Sequence, residues 1–253
     1  MHQRWPDRLW IVRHGESAGN VARDSAHAAN AARIEIASRD VDVPLSDLGR
    51  QQARSLGHWF AAMPEADRPD VILTSPYRRA SETARGVIAA GGVHAGVPLI
   101  ADERLREKEF GALDRLTKLG IEQHFPMEAE ARKLLGKFYY RPPAGESWCD
   151  VILRLRSVLD TISLHYGGKR VLITAHQVVV LCMRYLLENL DEETILTIDA
   201  QGDVANCSVT EYAFKADRDG SGDLALVRYN YQSPMHREGT PVTAEPDPKV
   251  TAG

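Results

Sequence analysis

Three short, nearly unbroken apolar runs constrain the fold of this chain most: Leu9-Trp10-Ile11-Val12, Val71-Ile72-Leu73-Thr74 and Val171-Leu172-Ile173-Thr174. Each is rich in β-branched residues, too short for a helix, and lacks the polar alternation of a half-exposed strand. Such runs read as strands covered on both faces, which is the pattern of a parallel sheet. Weaker strand runs lie at Pro98 to Ala101, Cys207 to Phe214 and Leu224 to Tyr229. The last two flank the turn-rich Asp217 to Asp223, which predicts a hairpin at the sheet edge.

Helical patterns fall between the strands. Ser46 is a good N-cap, followed at helical spacing by Leu48, Gln52, Leu56 and Phe60. Pro76 suits the first turn of a helix running through Ala80 and Ala84 to Ile88. Val151, Leu155, Val158 and Ile162 line one face of a helix over Glu146 to Tyr166, stopped by Gly167-Gly168. A further helix starts near His176 and carries Val179, Met183 and Leu186. Alternating strands and helices predict an α/β fold: a three-layer α/β/α sandwich with a mainly parallel central sheet and an antiparallel edge. The expected organisation is one domain over residues 1–232, with insertions near 21–43 and 113–143. A flexible tail is expected over 233–253, which holds several Pro and no apolar period. The first insertion is Ala-rich and predicts a helical excursion at the surface.

Composition narrows the partners. The chain has 253 residues, with 31 Lys plus Arg against 35 Asp plus Glu, a net charge of -4. There is no basic excess to hold nucleic acid or an anionic membrane, so any bound anion must meet local positive charge. No apolar run is long enough to span a bilayer. Cys149, Cys182 and Cys207 show neither C-x-x-C nor zinc-type spacing, so no metal site is expected and a cytoplasmic location fits.

Ligands of open α/β sheets sit at the carboxyl ends of the strands. There the first run ends in Arg13-His14-Gly15-Glu16, the second in Ser75-Pro76-Tyr77-Arg78-Arg79, and the third in Ala175-His176-Gln177. Two imidazoles and up to three guanidiniums are thus delivered to one edge. Guanidinium N–H pairs match phosphate oxygens, so the set describes a phosphate pocket. A neutral imidazole beside bound phosphate can attack phosphorus, and a leaving alkoxide needs a carboxylic acid. Glu107 and Glu109 are the candidates. Arg78 competes with Arg79, but adjacent helix positions point about 100° apart, so one of the two faces the pocket. Gly15-Glu16-Ser17-Ala18-Gly19 also fits the G-x-S-x-G pattern of serine hydrolases. That reading leaves Arg13 and His14 unexplained. The Asp217 to Asp223 stretch lacks the final Glu of a calcium loop.

Arg13-His14-Gly15-Glu16-Ser17-x-x-Asn20 resembles the signature of the histidine phosphatase superfamily, the phosphoglycerate mutase-like proteins. Thr74-Ser75-Pro76-x-x-Arg79-Ala80-x-x-Thr83-Ala84, Leu105-x-Glu107-x-x-Phe110-Gly111 and Thr174-Ala175-His176 resemble its further motifs, in the family's order. The resemblance implies that His14 is the nucleophile and Glu107 the proton donor. It implies that Arg13, Arg79 and His176 hold the phosphoryl group, with Asn20 as a further donor. Ser17 and Gln177, the latter as in the fructose-2,6-bisphosphatase branch, join the expected substrate contacts. Lys137 and Arg141 are candidates for the substrate's distal end. The Phe-x-Gly-Trp loop and the paired Arg of glycolytic mutases are missing, which favours a phosphatase. The expectation is therefore metal-independent hydrolysis of a small phosphorylated metabolite through a phosphohistidine, without a cofactor. The alternatives are a 2,3-bisphosphoglycerate-dependent mutase and a non-catalytic phospho-ligand-binding protein. A homodimer is compatible with each. The two insertions are expected to form a substrate-selecting lid, with Trp148 either at the pocket edge or bracing its helix.

Overall fold

A computed structural model describes residues 3–217 and 222–244. The chain runs β1 (Arg8–Arg13), α1 (Ala18–Ala28), α2 (Asp47–Ala61), β2 (Val71–Thr74), α3 (Arg78–Ala89) and β3 (Leu99–Ala101). It continues with α4 (Lys118–His124), α5 (Pro126–Tyr139), α6 (Trp148–His165), β4 (Arg170–Ala175), α7 (Gln177–Leu187) and α8 (Glu192–Gln201). It closes with β5 (Val209–Ala216), β6 (Gly222–Tyr231) and α9 (Ser233–Glu238). The sheet order is β3-β2-β4-β1-β5-β6. The first four of these strands are mutually parallel, and β5 and β6 are antiparallel additions at one edge. The expected α/β class, the parallel centre and the edge hairpin are all present. The hairpin's tip, 218–221, lies outside the described residues.

The parallel centre follows from its residues. Leu9, Ile11, Val71, Leu73, Val171 and Ile173 turn to one face, against α6 and α7. Trp10, Val12, Ile72 and Leu172 turn to the other, against residues of α2 and α3. With both faces buried, period-two alternation selects between two cores rather than between core and water. β3 sits at the other edge and is only partly buried, which matches its weaker pattern.

Local chemistry sets the helix boundaries. Ser46 caps α2 as expected, its Oγ accepting from Gly49 N at 2.9 Å. α3 begins at Arg78, two residues later than Pro76 suggests. Ser75 Oγ accepts from Tyr77 N at 3.2 Å, and this turn uses up the Pro76 position before the helix starts. The expected flexible tail is corrected over 233–244. Pro234 opens α9, Met235 is fully buried in the second core, and Gly239 ends the helix with φ 66°. One Met at a groove beside α2 anchors a segment too short to show a period. Residues 245–253 lie outside the described part.

The two insertions touch each other. Within 21–43, α1 continues to Ala28 and Asp40–Asp42 form a single helical turn; the stretch between is irregular. Arg33 and Leu116 form an isolated bridge. Thr117 Oγ1 donates to Ala31 O at 2.7 Å, and Arg115 donates to Ile36 O at 3.0 Å and Ser38 O at 2.8 Å. Segment 31–39 is thereby stitched to the segment leading into α4.

Candidate active site

Register places the site. Val12 is opposite Thr174, Arg13 opposite Ala175, and Thr74 opposite Thr174. One more bond on each side carries the ladder past the strand ends: His14 N to Ala175 O at 2.9 Å, and Ser75 N to Thr174 O at 3.0 Å. His14, Ser75 and His176 therefore leave three adjacent parallel strands at one level. The rings of His14 and His176 stand 5.2 Å apart at 65°. Arg79 reaches them from α3, its Nε donating to His14 Nε2 at 3.2 Å.

The hydrogen bonds assign the His14 tautomer. Nδ1 lies 2.7 Å from Gly15 O, and a carbonyl only accepts, so Nδ1 carries the proton. Nε2 keeps its lone pair and faces the guanidinium. His14 is held well below the usual histidine range by burial, then by Arg79 and Arg13. His176 is depressed by burial first and by Arg79 second. Its Nε2 lies 2.8 Å from Ser75 Oγ. That oxygen also accepts from Tyr77 N at 3.2 Å. Nδ1 is buried with no hydrogen-bond partner among the described residues. A buried polar atom left without a partner costs about 1–3 kcal/mol.

The loop after β1 is held rigidly. Gly15 N donates to Thr83 Oγ1 at 3.0 Å, Glu16 N to Gln52 Oε1 at 2.8 Å, and Asn206 Nδ2 to His14 O at 2.9 Å. A side chain at Gly15 would place its Cβ 2.5 Å from Gly49 O, and one at Gly49 would lie 1.9 Å from Glu16 O. Glycine is required at both because two backbones cross there.

Glu107 is partly exposed as a residue, yet burial of its carboxyl pushes it above the usual range, against the pull of Lys108 N–H, Arg79, Arg154 and Arg13. The acid loop is tied to α6. Arg154 pairs with Glu146 at 2.9 Å and donates to Arg104 O at 2.5 Å and Glu107 O at 3.2 Å. Glu109 instead accepts from Tyr77 O–H at 2.5 Å.

The remaining expected residues divide. Arg13 is buried and donates to Gln177 Oε1 at 3.1 Å and Val204 O at 2.5 Å; Gln177 donates onward to Asp203 at 2.9 Å. Gln177 thus orients Arg13. Ser17 and Asn20 form a reciprocal cap on α1, Ser17 Oγ donating to Asn20 Oδ1 at 2.9 Å and accepting from Asn20 N at 3.1 Å. The Ser17 hydroxyl is committed to that cap, against both a substrate contact and a serine nucleophile. The phosphate role of Asn20 rests on its Nδ2. Lys137 pairs with Asp199 at 2.7 Å, and Arg141 donates to Gly145 O at 3.0 Å with most of its side chain in solvent. Arg78 is exposed and paired with Glu82 at 2.7 Å, as expected of the rival to Arg79. Trp148 is buried beside Phe138 and braces α6.

Sequence reasoning did not find Asp40. Its carboxylate meets the Arg79 guanidinium at 2.9 Å and 3.2 Å, and its carbonyl accepts from the same guanidinium at 2.7 Å. Nothing in the pattern of segment 21–43 separates Asp40 from its neighbours. Thr83 and Ser75 stood within the expected motifs, so their types were visible even though their supporting bonds were not.

This is an α/β protein in which the ends of parallel strands and the start of α3 bring two imidazoles and the Arg79 guanidinium together. The model of the histidine phosphatase superfamily (branch 1) matches residues 9–226, and the chain belongs to that family. It is 30% identical over 221 residues to 2,3-bisphosphoglycerate-dependent phosphoglycerate mutase 2 of Gloeobacter violaceus, covering 87% of this chain and 90% of that one. It is 30% identical over 165 residues to phosphoglycerate mutase-like protein AT74H of Arabidopsis thaliana, covering 62% of this chain and 53% of that one. Among solved structures, YhfR of Bacillus stearothermophilus superposes with a TM-score of 0.65 at 29% identity, over 87% of this chain and 96% of that one. Among the described residues, no helix is long and apolar enough to cross a membrane.

Proposed function

We propose that this protein hydrolyses phosphomonoesters of small metabolites through a phosphohistidine on His14, without a metal. The observation that carries the reading is the His14 tautomer. The ring is neutral, Nδ1–H is tethered to Gly15 O at 2.7 Å, and the Nε2 lone pair points at the guanidinium that would hold the phosphoryl oxygens. Nε2 attacks phosphorus as the ester P–O bond breaks, and the leaving oxygen takes the Glu107 proton. Water then attacks phosphorus and returns a proton to Glu107. The P–N bond breaks and orthophosphate leaves. Arg13, Arg79 and His176 stabilise the charge spread over the transferring group.

His14→Ala should remove turnover of p-nitrophenyl phosphate, and the wild-type protein should retain it in excess chelator. Acid-labile, base-stable phosphate should appear on the protein after brief exposure to substrate. Near-full activity of His14→Ala would overturn the nucleophile assignment, and absence of any labelled or turned-over product would favour a phospho-ligand-binding role. The similarity to the Gloeobacter mutase supports a second reading, phosphoryl transfer between positions of phosphoglycerate. Isomerisation of 3-phosphoglycerate after addition of 2,3-bisphosphoglycerate would establish it. Engagement of Lys137 by Asp199 and of Arg141 by its own loop speaks against that reading, because a mutase must grip its substrate's far end.

A further inference from the structure

Four of the five Arg79 N–H groups are engaged, three of them by Asp40. Its Nε is on His14, and both terminal nitrogens are on Asp40. A substrate phosphoryl group that grips both terminal nitrogens of Arg79 therefore competes with the Asp40 carboxylate. The contact is built into the fold. Asp40 opens a single helical turn, Asp40–Asp42, and the irregular segment before it is pinned by Arg115 through the carbonyls of Ile36 and Ser38. Arg79 is buried, and its guanidinium lies 5.1 Å from the Tyr77 ring, so it has little room to turn elsewhere.

The same mouth is acidic. Tyr77 spans it, with Arg79 on its ring and Glu109 on its hydroxyl at 2.5 Å. Asp40 and Glu109 both act on the Tyr77 phenol and on the Asp114 carboxyl, which burial and these two neighbours push above its usual range. The cations nearest these carboxylates are shared: Arg115 holds Ile36 and Ser38 and lies 3.7 Å from Asp114, and Arg106 pairs with Glu146 at 2.7 Å and lies 3.8 Å from Glu109. Asp40, once displaced, stays on the rim as a negative charge beside the leaving group.

We propose that Asp40 is a specificity-determining residue that competes with phosphate for Arg79 and, with Asp114 and Glu109, selects phosphomonoesters whose leaving group is neutral or cationic over those carrying a second anion. This rests on the hydrolase reading and narrows its substrate class. Like charges facing each other across a mouth discriminate by repulsion as well as by attraction to the correct partner.

Two measurements test it. Calorimetric titration with orthophosphate requires no turnover. Asp40→Asn should bind it about fivefold tighter than wild type, the scale of removing one partly exposed ion-pair competitor. Unchanged or weaker binding overturns the competition. The second measurement compares kcat/KM for glycerol 2-phosphate and 3-phosphoglycerate, which share a three-carbon frame and differ in the carboxylate. Wild type should favour the glycerol ester, and Asp40→Asn and Asp114→Asn should each narrow the ratio by raising the rate on 3-phosphoglycerate. A wild-type preference for 3-phosphoglycerate, or an unchanged ratio in both variants, overturns the selectivity. A wild-type protein inert towards both esters and p-nitrophenyl phosphate overturns the hydrolase reading itself, while the phosphate titration still judges the Asp40 contact.

Discussion

Burial and two guanidiniums hold His14 neutral, and burial holds the Glu107 carboxyl protonated to higher pH. These opposite shifts give a base-like nitrogen and an acid-like carboxyl at one pH, as the proposed steps require. Both carry a stability cost with a definite sign. The unfolded chain protonates His14 and His176 near pH 6.5, but the folded chain does not. Stability is therefore complete above that value and falls below it, by about 1.4 kcal/mol per pH unit for each histidine while the folded rings stay neutral. Urea midpoints should drop between pH 7 and pH 5.5, and a His14→Gln, His176→Gln double variant should show a shallower drop. Glu107 has the reverse sign: its raised value favours the fold at low pH, and that contribution is lost as pH rises through it. Glu107→Gln should thus raise the melting temperature at neutral pH. The same variant should slow turnover of an alkyl phosphate far more than that of p-nitrophenyl phosphate, whose leaving group needs no proton. Equal losses on both esters would count against its acid role.

The decisive contact between elements is the crossing of the β1–α1 loop over the start of α2. Gly15 and Gly49 meet backbone to backbone, and Gln52 and Ser46 of the same helix region bond Glu16. A methyl at Gly49 has no flexible neighbour to push aside. Gly49→Ala should cost about 1–3 kcal/mol by overpacking. It should also lower kcat by more than KM changes, because the displaced loop carries His14. Denaturant unfolding together with steady-state kinetics would separate the two effects, and wild-type values in both would show that the loop is not held there. The Arg154–Glu146 pair plays the corresponding part for the acid loop from α6.

For the whole molecule, a sheet buried on both faces means that two cores must close, and the second is completed by residues near the described end of the chain. Met235 is fully buried, Thr243 Oγ1 donates to Asn206 Oδ1 at 3.0 Å, and Gln52 donates to Pro241 O at 3.0 Å. Asn206 in turn holds the His14 carbonyl at 2.9 Å, so the segment after β6 supports the site through one intermediate residue. Met235→Ala should destabilise by about 2–5 kcal/mol, as for other fully buried large-to-small changes, in urea unfolding. A loss under 0.5 kcal/mol would return this segment to the mobile tail expected from composition.

Much of this molecule could be read from residue order because its signals are local. Continuous apolar runs require strands covered on both faces, and residues at the tips of parallel strands must share an edge. His14, Ser75 and His176 therefore converge once the three strong runs are recognised. Register, crossings and pairings between distant segments are not local. Whether Arg79 faces a substrate or an internal carboxylate depends on where the stitched insertions place Asp40. Whether Ser17 touches phosphate or caps α1 depends on a hydrogen bond three residues away. Sequence determined which chemical groups this edge could hold, because side-chain type and strand end are written in order. Tertiary structure alone decided which groups are already engaged, because each donor and acceptor takes whichever partner folding brings within about 3 Å.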